Sequence, residues 1–282
     1  MSKRKRPTGP KSKDSGQDRK AGGSAKTEGW LYGTHAVLAA LANEERRCKR
    51  LVLTEEARAT LENKLSEIKV LQRLSPEIVP KPAIGELLPP GAVHQGIALL
   101  TDPLPDPGLD ALLATIRGKT EAVIVLLDQV TDPQNVGAVL RSAAAFGVDA
   151  VLLPLHHAPA VTGALAKAAS GTLERVPLIH VPNLARAMDA LKAADFWCVG
   201  LDAEAETTLD ALERSERTAL LLGAEGKGLR RLTREHCDFL AKLPIDREAV
   251  ESLNVAAAAA VALYELAAQR KAALSSVAHR PD

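Results

Sequence analysis

The sequence predicts an α/β protein whose main sheet is mostly parallel and is preceded by a smaller α/β unit. From about Glu121 onward, unbroken apolar runs of strand length alternate with segments of helical spacing. Unbroken runs are typical of parallel strands that are covered on both faces. The stretch TDPLPDPG, just before this part, places three prolines within eight residues and indicates a linker. With 282 residues the chain is long enough for two compact units.

The predicted organisation follows from these shifts in composition. Residues 1–28 form a disordered basic tail, 29–101 a small α/β domain, 102–119 a linker, 120–274 the main α/β domain and 275–282 a second tail. The first tail holds nine Lys or Arg against three Asp or Glu, whereas the whole chain has a formal net charge of only +1. This tail is either a solubilising leader or an electrostatic arm for RNA phosphates.

Cysteine usage and hydropathy limit the classes of protein. Cys48, Cys198 and Cys237 lie far apart without a Cys-x-x-Cys pair, which argues against a disulfide framework or a structural zinc site. No segment reaches the roughly 18 apolar residues that a membrane helix needs, and the N-terminus lacks the apolar core of a secretory signal. We therefore expect a cytoplasmic protein that holds no metal.

Each predicted element follows from a local pattern of apolar residues. In the small domain we expect a helix at 33–43, a strand at 49–54, a helix at 61–74 and a strand at 96–100. In the main domain we expect strands at 122–127, 150–153, 176–181, 197–201, 219–222 and 239–243. Helices are expected between them at 136–146, 160–169, 184–193 and 229–236, and a final helix at 252–271.

Three polar segments follow strands of the main domain, where ligands of parallel sheets bind. The first, Leu127–Leu153, places Asn135 at a helix entrance and Arg141 almost two turns later among apolar positions. Taken singly, this Asn is an ordinary helix cap and this Arg an ordinary solvated residue. The pair becomes a functional candidate only together with the other two segments.

The second segment, Leu220–Asp238, runs from a strand into Gly223, Glu225, Gly226 and Gly228. Glycines permit positive φ and a close approach of the backbone to a ligand. The spacing is not that of a phosphate-binding P-loop, because position 221 is Leu and Gly228 stands where Ser or Thr is required. On its own, this segment is better explained as a tight turn from strand to helix.

The third segment, Leu243–Lys271, leads into an alanine-rich helix. We expect Ser252 to cap this helix, while Asn254 is the polar residue of its first turn that needs a partner. Since the helix is apolar nearly all round, it must be buried, and another subunit is one candidate to cover it.

Together, the three segments resemble the motifs of the SpoU family of SPOUT RNA 2′-O-methyltransferases, from about Val123 to Glu265. The resemblance rests on the Asp-Pro-x-Asn-x-Gly…Arg-Ser pattern, the Gly-x-Glu-x-x-Gly pattern and Ser-Leu-Asn-Val before the last helix. Upstream, WLYGTHAVLAAL and HQGIAL are similar to the small RNA-binding domain of one branch of the family. That branch methylates a guanosine ribose in 23S ribosomal RNA.

The resemblance implies a C-terminal trefoil knot, a homodimer and S-adenosylmethionine as the methyl donor, without a metal. It implies that backbone groups of Gly223, Leu243 and Leu253 hold the donor, with Leu222 and Ile245 beside them. The catalytic residues that it implies are Asn135, Arg141, Glu225, Ser252 and Asn254. Arg141, oriented by Asn135, would stand at the ribose hydroxyl, either as a base or as a phosphate clamp. We favour the clamp, because a guanidinium normally stays protonated.

For the RNA, the expected contacts are His35 and the helical arginines Arg230, Arg231 and Arg234, for which a solvated face is the alternative. The loop Ile245–Glu251 departs from the family pattern, since it is longer and more charged, and this affects the expected donor affinity. The expected substrate is 23S ribosomal RNA or a precursor particle. The alternatives are methylation of transfer RNA, a non-catalytic RNA-binding ribosome-assembly factor, and an ordinary nucleotide-dependent α/β enzyme.

Overall fold

The computed structural model describes residues 29–156, 158–213 and 215–278, with side chains as far as Lys271. The predicted tail 1–28 and residues 279–282 of the second predicted tail lie outside the described residues, whereas residues 275–278 of that tail belong to the last helix. The strands are β1 (Trp30–Tyr32), β2 (Cys48–Leu53), β3 (Glu77–Ile78), β4 (Ile97–Thr101), β5 (Ala122–Asp128), β6 (Ala150–Pro154), β7 (Leu178–Val181), β8 (Trp197–Leu201), β9 (Arg217–Gly223) and β10 (Phe239–Ala241). The α-helices are α1 (Thr34–Ala42), α2 (Glu55–Ser66), α3 (Lys81–Leu87), α4 (Gly108–Ile116), α5 (Pro133–Ala145), α6 (Gly163–Ala169), α7 (Leu184–Lys192), α8 (Arg231–Glu235) and α9 (Val255–Ala278).

The small sheet has four strands in the order β1-β4-β2-β3. β4 pairs antiparallel with β1 and β2, whereas β2 and β3 run parallel. On one face, Val52 packs with Ile84 of α3. On the other face, Leu51 and Leu99 belong to an apolar cluster that also contains residues of the main sheet and of α5. The two sheets therefore share one continuous core.

The main sheet has six strands in the order β10-β8-β9-β5-β6-β7, and all five pairings are parallel. Every residue of β5 is buried. Val123 and Val125 point into the core on one face, and Ile124 and Leu126 point into the core on the other. Burial on both faces explains the unbroken apolar runs of the sequence. The prediction of an α/β fold with a mostly parallel sheet is confirmed.

Several predicted elements have different bounds. The helix predicted at 61–74 is α2, which begins at Glu55 because the Thr54 side chain accepts the Ala57 N–H and caps it. A separate 3₁₀ turn follows at Lys69–Gln72. The segment 102–119, predicted as a linker, contains α4, whose residues Leu112 and Ile116 are buried. A proline-rich start does not prevent a helix from forming directly after it.

The helix α6 lies between the small sheet and α5 without spare room on either side. A Cβ added to Gly163 would lie 2.5 Å from the carbonyl oxygen of Trp30 in β1. A Cβ added to Gly137 of α5 would lie 2.5 Å from the Cβ of Ala168 in α6. Both distances are below van der Waals contact, so each position accepts only glycine without a shift of the backbone.

A buried ion pair also joins the two sheets. Nη2 of Arg46, which precedes β2, lies 2.7 Å from Oε1 of Glu174, which follows α6, and the two side chains are only 2% and 6% exposed. Asn43 Nδ2 donates to the second oxygen of Glu174 at 2.7 Å, and Arg46 Nη1 donates to the Asp102 carbonyl at 3.0 Å. The carboxylate and the guanidinium thus have hydrogen-bond partners that offset their burial.

In the part of the chain that the structure describes, no helix combines the length and the hydropathy that crossing a membrane requires. Among the same residues, no group of three or more His, Cys, Asp or Glu side chains is arranged to hold a metal ion.

Candidate functional site

β5 and β9 lie side by side at the centre of the main sheet, and Asp128 at the end of β5 is the register partner of Gly223 at the end of β9. The strand order reverses here, because β6 and β7 lie beyond β5 while β8 and β10 lie beyond β9. Ligands of parallel sheets bind at such reversal points. The first two predicted segments therefore leave the sheet next to each other.

The loop after β9 folds back tightly on itself. The Gly228 N–H donates to the Ala224 carbonyl at 2.9 Å, and Gly226 and Gly228 have φ angles of +73° and +63°. A Cβ added to Gly223 would lie 2.0 Å from the carbonyl carbon of Gly228, so no larger residue fits there. The glycines are explained by this turn, which leaves Glu225 exposed near its tip.

Three predicted side chains, one from each segment, meet around this tip. Asn135 Nδ2 donates to Glu225 Oε1 at 3.1 Å, and Asn254 Nδ2 donates to Asn135 Oδ1 at 3.0 Å and also to Glu225 Oε1. The Val255 N–H points to the same carboxylate oxygen at 3.4 Å. We call Asn135, Glu225 and Asn254 the polar triad.

The polar triad is placed by the ends of two helices. Asp132 caps α5 by accepting the Gln134 N–H at 2.9 Å, so Asn135 is not a capping residue and its amide is free for the triad. Asn254 caps α9 through Oδ1, which accepts the Ala256 N–H at 2.9 Å. The negative Glu225 thus lies at the N-terminus of a long helix, where the helix dipole favours an anion.

The predicted role of Ser252 as the cap of the last helix is wrong. The helix begins at Val255, and Asn254 is the residue that caps it. Ser252 is exposed, and its hydroxyl makes no hydrogen bond to the residues that the structure describes. Ser and Asn are equally good caps, and the contact with Glu225 is what selects Asn254.

Of the predicted donor residues, Leu222 and Gly223 end β9, Leu243 and Ile245 follow β10, and Leu253 precedes α9. Leu222 is buried, whereas Leu243, Ile245 and Leu253 are half-buried and leave apolar surface open beside the loop. Half-buried aliphatic side chains next to irregular backbone suit the adenosine of S-adenosylmethionine, which needs apolar walls and a few backbone donors and acceptors. A Cβ added to Gly226 or to Gly228 would have no atom within 4 Å, so there is open space beside both residues. The residues present therefore fit this donor.

Two charged residues of the departing loop Ile245–Glu251, Asp246 and Arg247, have structural partners. Asp246 Oδ1 accepts the Glu248 N–H at 3.0 Å, and Arg247 Nη2 lies 2.7 Å from Glu204 Oε1. The Lys242 N–H donates to the Thr207 carbonyl at 2.9 Å. The extra charges thus build a turn and fasten this loop to the residues after β8.

Arg141 lies on α5 but does not join the polar triad. Its side chain is exposed and makes no hydrogen bond or ion pair to the residues that the structure describes. Among the described residues, the Asn135 amide contacts Glu225 and Asn254 and not Arg141, so the orientation of Arg141 by Asn135 stays a prediction. Its guanidinium is free to bind a ligand.

The arginine strip beside the loop is largely neutralised. Arg230 donates Nε to Asp128 at 2.6 Å, Arg231 pairs with Glu235 at 3.2 Å and Arg234 pairs with Asp202 at 3.0 Å. The predicted RNA contacts of the strip must therefore compete with these carboxylates. His35, the fourth predicted contact, is exposed at the start of α1.

Asp128 is the site residue that sequence reasoning missed. Its carboxylate is fully buried and accepts both the backbone N–H and the Nε–H of Arg230, at 3.0 and 2.6 Å. These two bonds fix the chain where it leaves the Glu225 loop. The available signal was an acidic residue at the end of an apolar strand, where a buried charge needs a partner.

The buried Cys198 and the half-buried Cys237 are not candidates for a nucleophile. Burial raises the pKa of Cys198 and of Cys237 to about 12, so both thiols stay protonated at neutral pH. The polar groups that converge at the sheet reversal are amides and a carboxylate.

Comparison with known proteins identifies the family. Residues 122–264 match the SpoU rRNA Methylase family, and residues 30–107 match a domain described as RNA 2'-O ribose methyltransferase substrate binding. The chain belongs to the SpoU rRNA methylase family.

Relatives and solved structures agree with this membership. The 23S rRNA (guanosine-2'-O-)-methyltransferase RlmB of Pseudomonas aeruginosa is 40% identical over 242 residues, which cover 85% of this chain and 96% of that protein. The protein of the same name from Coxiella burnetii is 39% identical over 243 residues, covering 86% and 96%. The SpoU methyltransferase AviRb from Streptomyces viridochromogenes, solved in complex with the cofactor AdoMet, superposes with a TM-score of 0.70, 25% identity and coverage of 86% and 89%.

Proposed function

We propose that this SpoU family member transfers a methyl group from S-adenosylmethionine to the 2′-hydroxyl of a guanosine ribose in 23S ribosomal RNA. The observation that carries this proposal is the polar triad, in which Asn135, Glu225 and Asn254 of three separate segments meet at the sheet reversal. The relatives named as 23S rRNA guanosine 2′-O-methyltransferases support the substrate. We also propose that the protein acts in the cytoplasm.

The chemistry needs little besides positioning. The donor supplies an electron-poor sulfonium methyl, which an aligned nucleophile attacks as the sulfur–carbon bond breaks. The ribose oxygen gains the methyl group and loses its proton, so the protein must tolerate or accept that proton. The half-buried Leu243, Ile245 and Leu253 suit the adenosine end of the donor. The polar triad fixes the Glu225 loop and the start of α9 around it.

Arg141 is proposed as the residue that binds the RNA at the reacting ribose. Its exposed guanidinium, free of partners among the described residues, suits a phosphate clamp better than a base. Replacement by Lys keeps the charge but loses the two-pronged hydrogen-bonding geometry. We expect Arg141→Lys to lose most of the turnover, and near-normal turnover would exclude a specific role of the guanidinium.

A trefoil knot in the main domain is also part of the proposal. The chain leaves β10 at one edge of the sheet and returns to α5 near its centre. On the way, Lys242 pairs with Thr207 and Thr208, and Asn254 reaches Glu225. The segment after β10 thus lies between the loop after β8 and the loop after β9. A trefoil knot requires the chain to pass between loops in this way.

A homodimer is proposed from the outer face of α9. Ala257, Val261 and Tyr264 are spaced by four and three residues, so they share one side of the helix. Val261 is 48% and Tyr264 62% exposed. An apolar face of this kind, next to the substrate site, is best covered by a second copy of the chain. Light scattering should report a dimer that Val261→Asp/Tyr264→Asp converts to monomers.

Methyl transfer from labelled S-adenosylmethionine tests the activity directly. Unmodified 23S ribosomal RNA, 16S ribosomal RNA and transfer RNA are offered in parallel, with Arg141→Ala as the control. Label on the 23S RNA as a 2′-O-methyl ribose, lost in the control, is the expected result. Label on transfer RNA instead would replace the substrate. RNA binding without label, on free 23S RNA and on a precursor particle alike, would favour the non-catalytic assembly factor.

A further inference from the structure

Two lysines from different parts of the chain lie close enough to His94, in one loop of the small domain, to add to the lowering of its pKa by burial. Lys81 begins α3, and Lys167 lies on α6. Lys167 Nζ donates to the Val93 carbonyl at 2.7 Å, which uses one of its three N–H donors. Neither lysine forms an ion pair with a carboxylate among the described residues. In the arginine strip, by contrast, each cation has an acidic partner.

In the loop at which they meet, residues 93–96, Val93 and Gln95 are exposed, whereas His94 and Gly96 are buried. Gln95 has a φ of +55°, although it is not glycine, and Val93 is 63% exposed. Gln95 Oε1 accepts the Thr34 N–H at 3.0 Å and so joins this loop to the first turn of α1, where His35 is exposed. Residues other than glycine that surrounding contacts hold at a positive φ cluster at binding sites.

We infer that Lys81, Val93, Gln95, His35 and Lys167 form an RNA-binding surface, the junction surface, on which the two lysines contact phosphates of the substrate RNA. Uncompensated lysines bind phosphates as point charges. An exposed His is suited to stack on an unpaired base, and an exposed Gln is suited to hydrogen-bond its edge. The inference rests on the proposed function, since RNA is the substrate only if that function is right.

The packing of α6 keeps this surface at a fixed distance from the polar triad. α6 carries Lys167, touches β1 at Gly163 and touches α5 at Gly137, and α5 in turn carries Asn135. Neither glycine contact leaves room for sliding. An RNA bound at the junction surface is therefore held at a constant distance from the polar triad. Binding away from the reacting group helps to position that group.

Salt-dependent RNA binding by the full chain tests the inference. A fluorescent fragment of unmodified 23S ribosomal RNA is titrated with wild type and with Lys81→Gln/Lys167→Gln between about 50 and 200 mM salt. Each lost phosphate contact lowers the slope of log affinity against log salt by about 1. Raising the salt from about 50 to about 200 mM should therefore weaken RNA binding about tenfold less in the double variant than in wild type. It should also bind more weakly at low salt. Lys81→Arg/Lys167→Arg should restore both values.

A control of equal charge is Lys64→Gln/Arg73→Gln, which removes two exposed cations of the small domain that have no ion pair among the described residues. It should keep the wild-type slope, and all variants should keep the affinity for S-adenosylmethionine. An unchanged slope in Lys81→Gln/Lys167→Gln, while wild type binds and methylates the RNA, would overturn the junction surface alone. Weaker binding with an unchanged slope would mean that Lys167 only supports the fold. Wild type that neither binds nor methylates 23S RNA would overturn the proposed function as well.

Discussion

Glu225 accepts N–H groups from two other segments with a single carboxylate oxygen. The donors are Asn135, Asn254 and the backbone of Val255. Bonds to an ionised acceptor are roughly twice as strong as neutral ones, and the helix dipole of α9 adds to them. At the scale of single residues, this carboxylate is the group on which the arrangement of the site depends most.

Replacing Glu225 by Gln removes the charge but keeps the size. We expect methyl transfer to fall by about tenfold or more, because weakening these bonds by roughly 1.4 kcal/mol corresponds to one factor of ten. Steady-state transfer to 23S RNA measures this. Glu248→Gln is the matched control, since Glu248 is exposed in the loop before α9 and its side chain has no partner among the described residues. Equal rates for the two variants would contradict a role of Glu225.

His94 gives the small domain a pH dependence. Burial, together with nearby Lys81 and Lys167, lowers the pKa of His94 below 6.5. As the pH falls below 6.5, the unfolded chain takes up a proton at this position before the folded chain does, so stability is lost until the lowered pKa is passed. Chemical denaturation between pH 7.5 and 5 should show this loss.

The variant His94→Asn isolates that effect. The Asn oxygen can still accept the Gly96 N–H, which His94 Nδ1 accepts at 3.2 Å, but it does not titrate. Its stability should therefore fall less steeply between pH 7 and 5 than that of wild type. The same slope in both proteins would show that another group is responsible.

The sequence predicts the residues of the polar triad only through family resemblance. Spacing alone leaves Asn135 as a cap and Glu225 as part of a turn, and only the fold brings them into contact. Asp128 was not predicted as a site residue, because it follows six apolar residues of β5 and its partner Arg230 lies about a hundred positions away. Long-range pairing of this kind leaves no local pattern.

At the scale of elements, α5 and α6 are in closest contact at Gly137. An added Cβ would lie 2.6 Å from the Leu165 carbonyl and 2.9 Å from the Ala169 nitrogen, and backbone atoms cannot move aside cheaply. We expect Gly137→Ala to lower the free energy of unfolding by about 1–3 kcal/mol, although alanine is the better helix former.

Gly85→Ala in α3 is the control for this prediction, since no atom lies within 4 Å of its added Cβ. It should stabilise by about 0.4–1 kcal/mol through the unfolded state. Urea unfolding of both variants gives the comparison. If Gly137→Ala were as stable as Gly85→Ala, the close contact of the two helices would be wrong.

The strands of the main sheet were predictable because each is an apolar run covered on both faces, as in β5 and β6. The helix ends were less so. α8 covers only Arg231–Glu235 of the predicted 229–236, since Leu229 and Arg230 are used to close the Glu225 loop and to bind Asp128. The helix α4 was missed because prolines before it suggested an extended linker. In each case a tertiary contact overrides the local signal.

At the scale of the whole molecule, the two sheets share a core and the buried pair of Arg46 and Glu174. Removing one partner of a buried pair leaves an uncompensated charge, and we expect Arg46→Ala to lose about 3–5 kcal/mol of stability in a single unfolding transition. Calorimetry measures both the loss and the number of transitions. Two separate transitions in wild type would mean that the sheets unfold independently.

The exposed pair of Arg50 and Glu77 is the control for this experiment. Its nitrogen and oxygen lie 2.8 Å apart, nearly as close as in the buried pair, but both side chains are solvated. Arg50→Ala should therefore change the melting temperature far less than Arg46→Ala. Equal shifts would show that burial does not decide the contribution of these pairs.

The contact at Gly163 bears on how enzymes of this architecture can acquire new RNA targets. Because β1 rests directly on the backbone of α6, a small domain grafted from a relative has to bring a first strand of the same contour, and its host has to keep glycine at this position. Recombination at the proline-rich stretch alone would separate β1 from the surface of α6 against which it packs. Inherited or designed exchange of recognition domains is therefore limited to donor and host pairs that have diverged together across this contact.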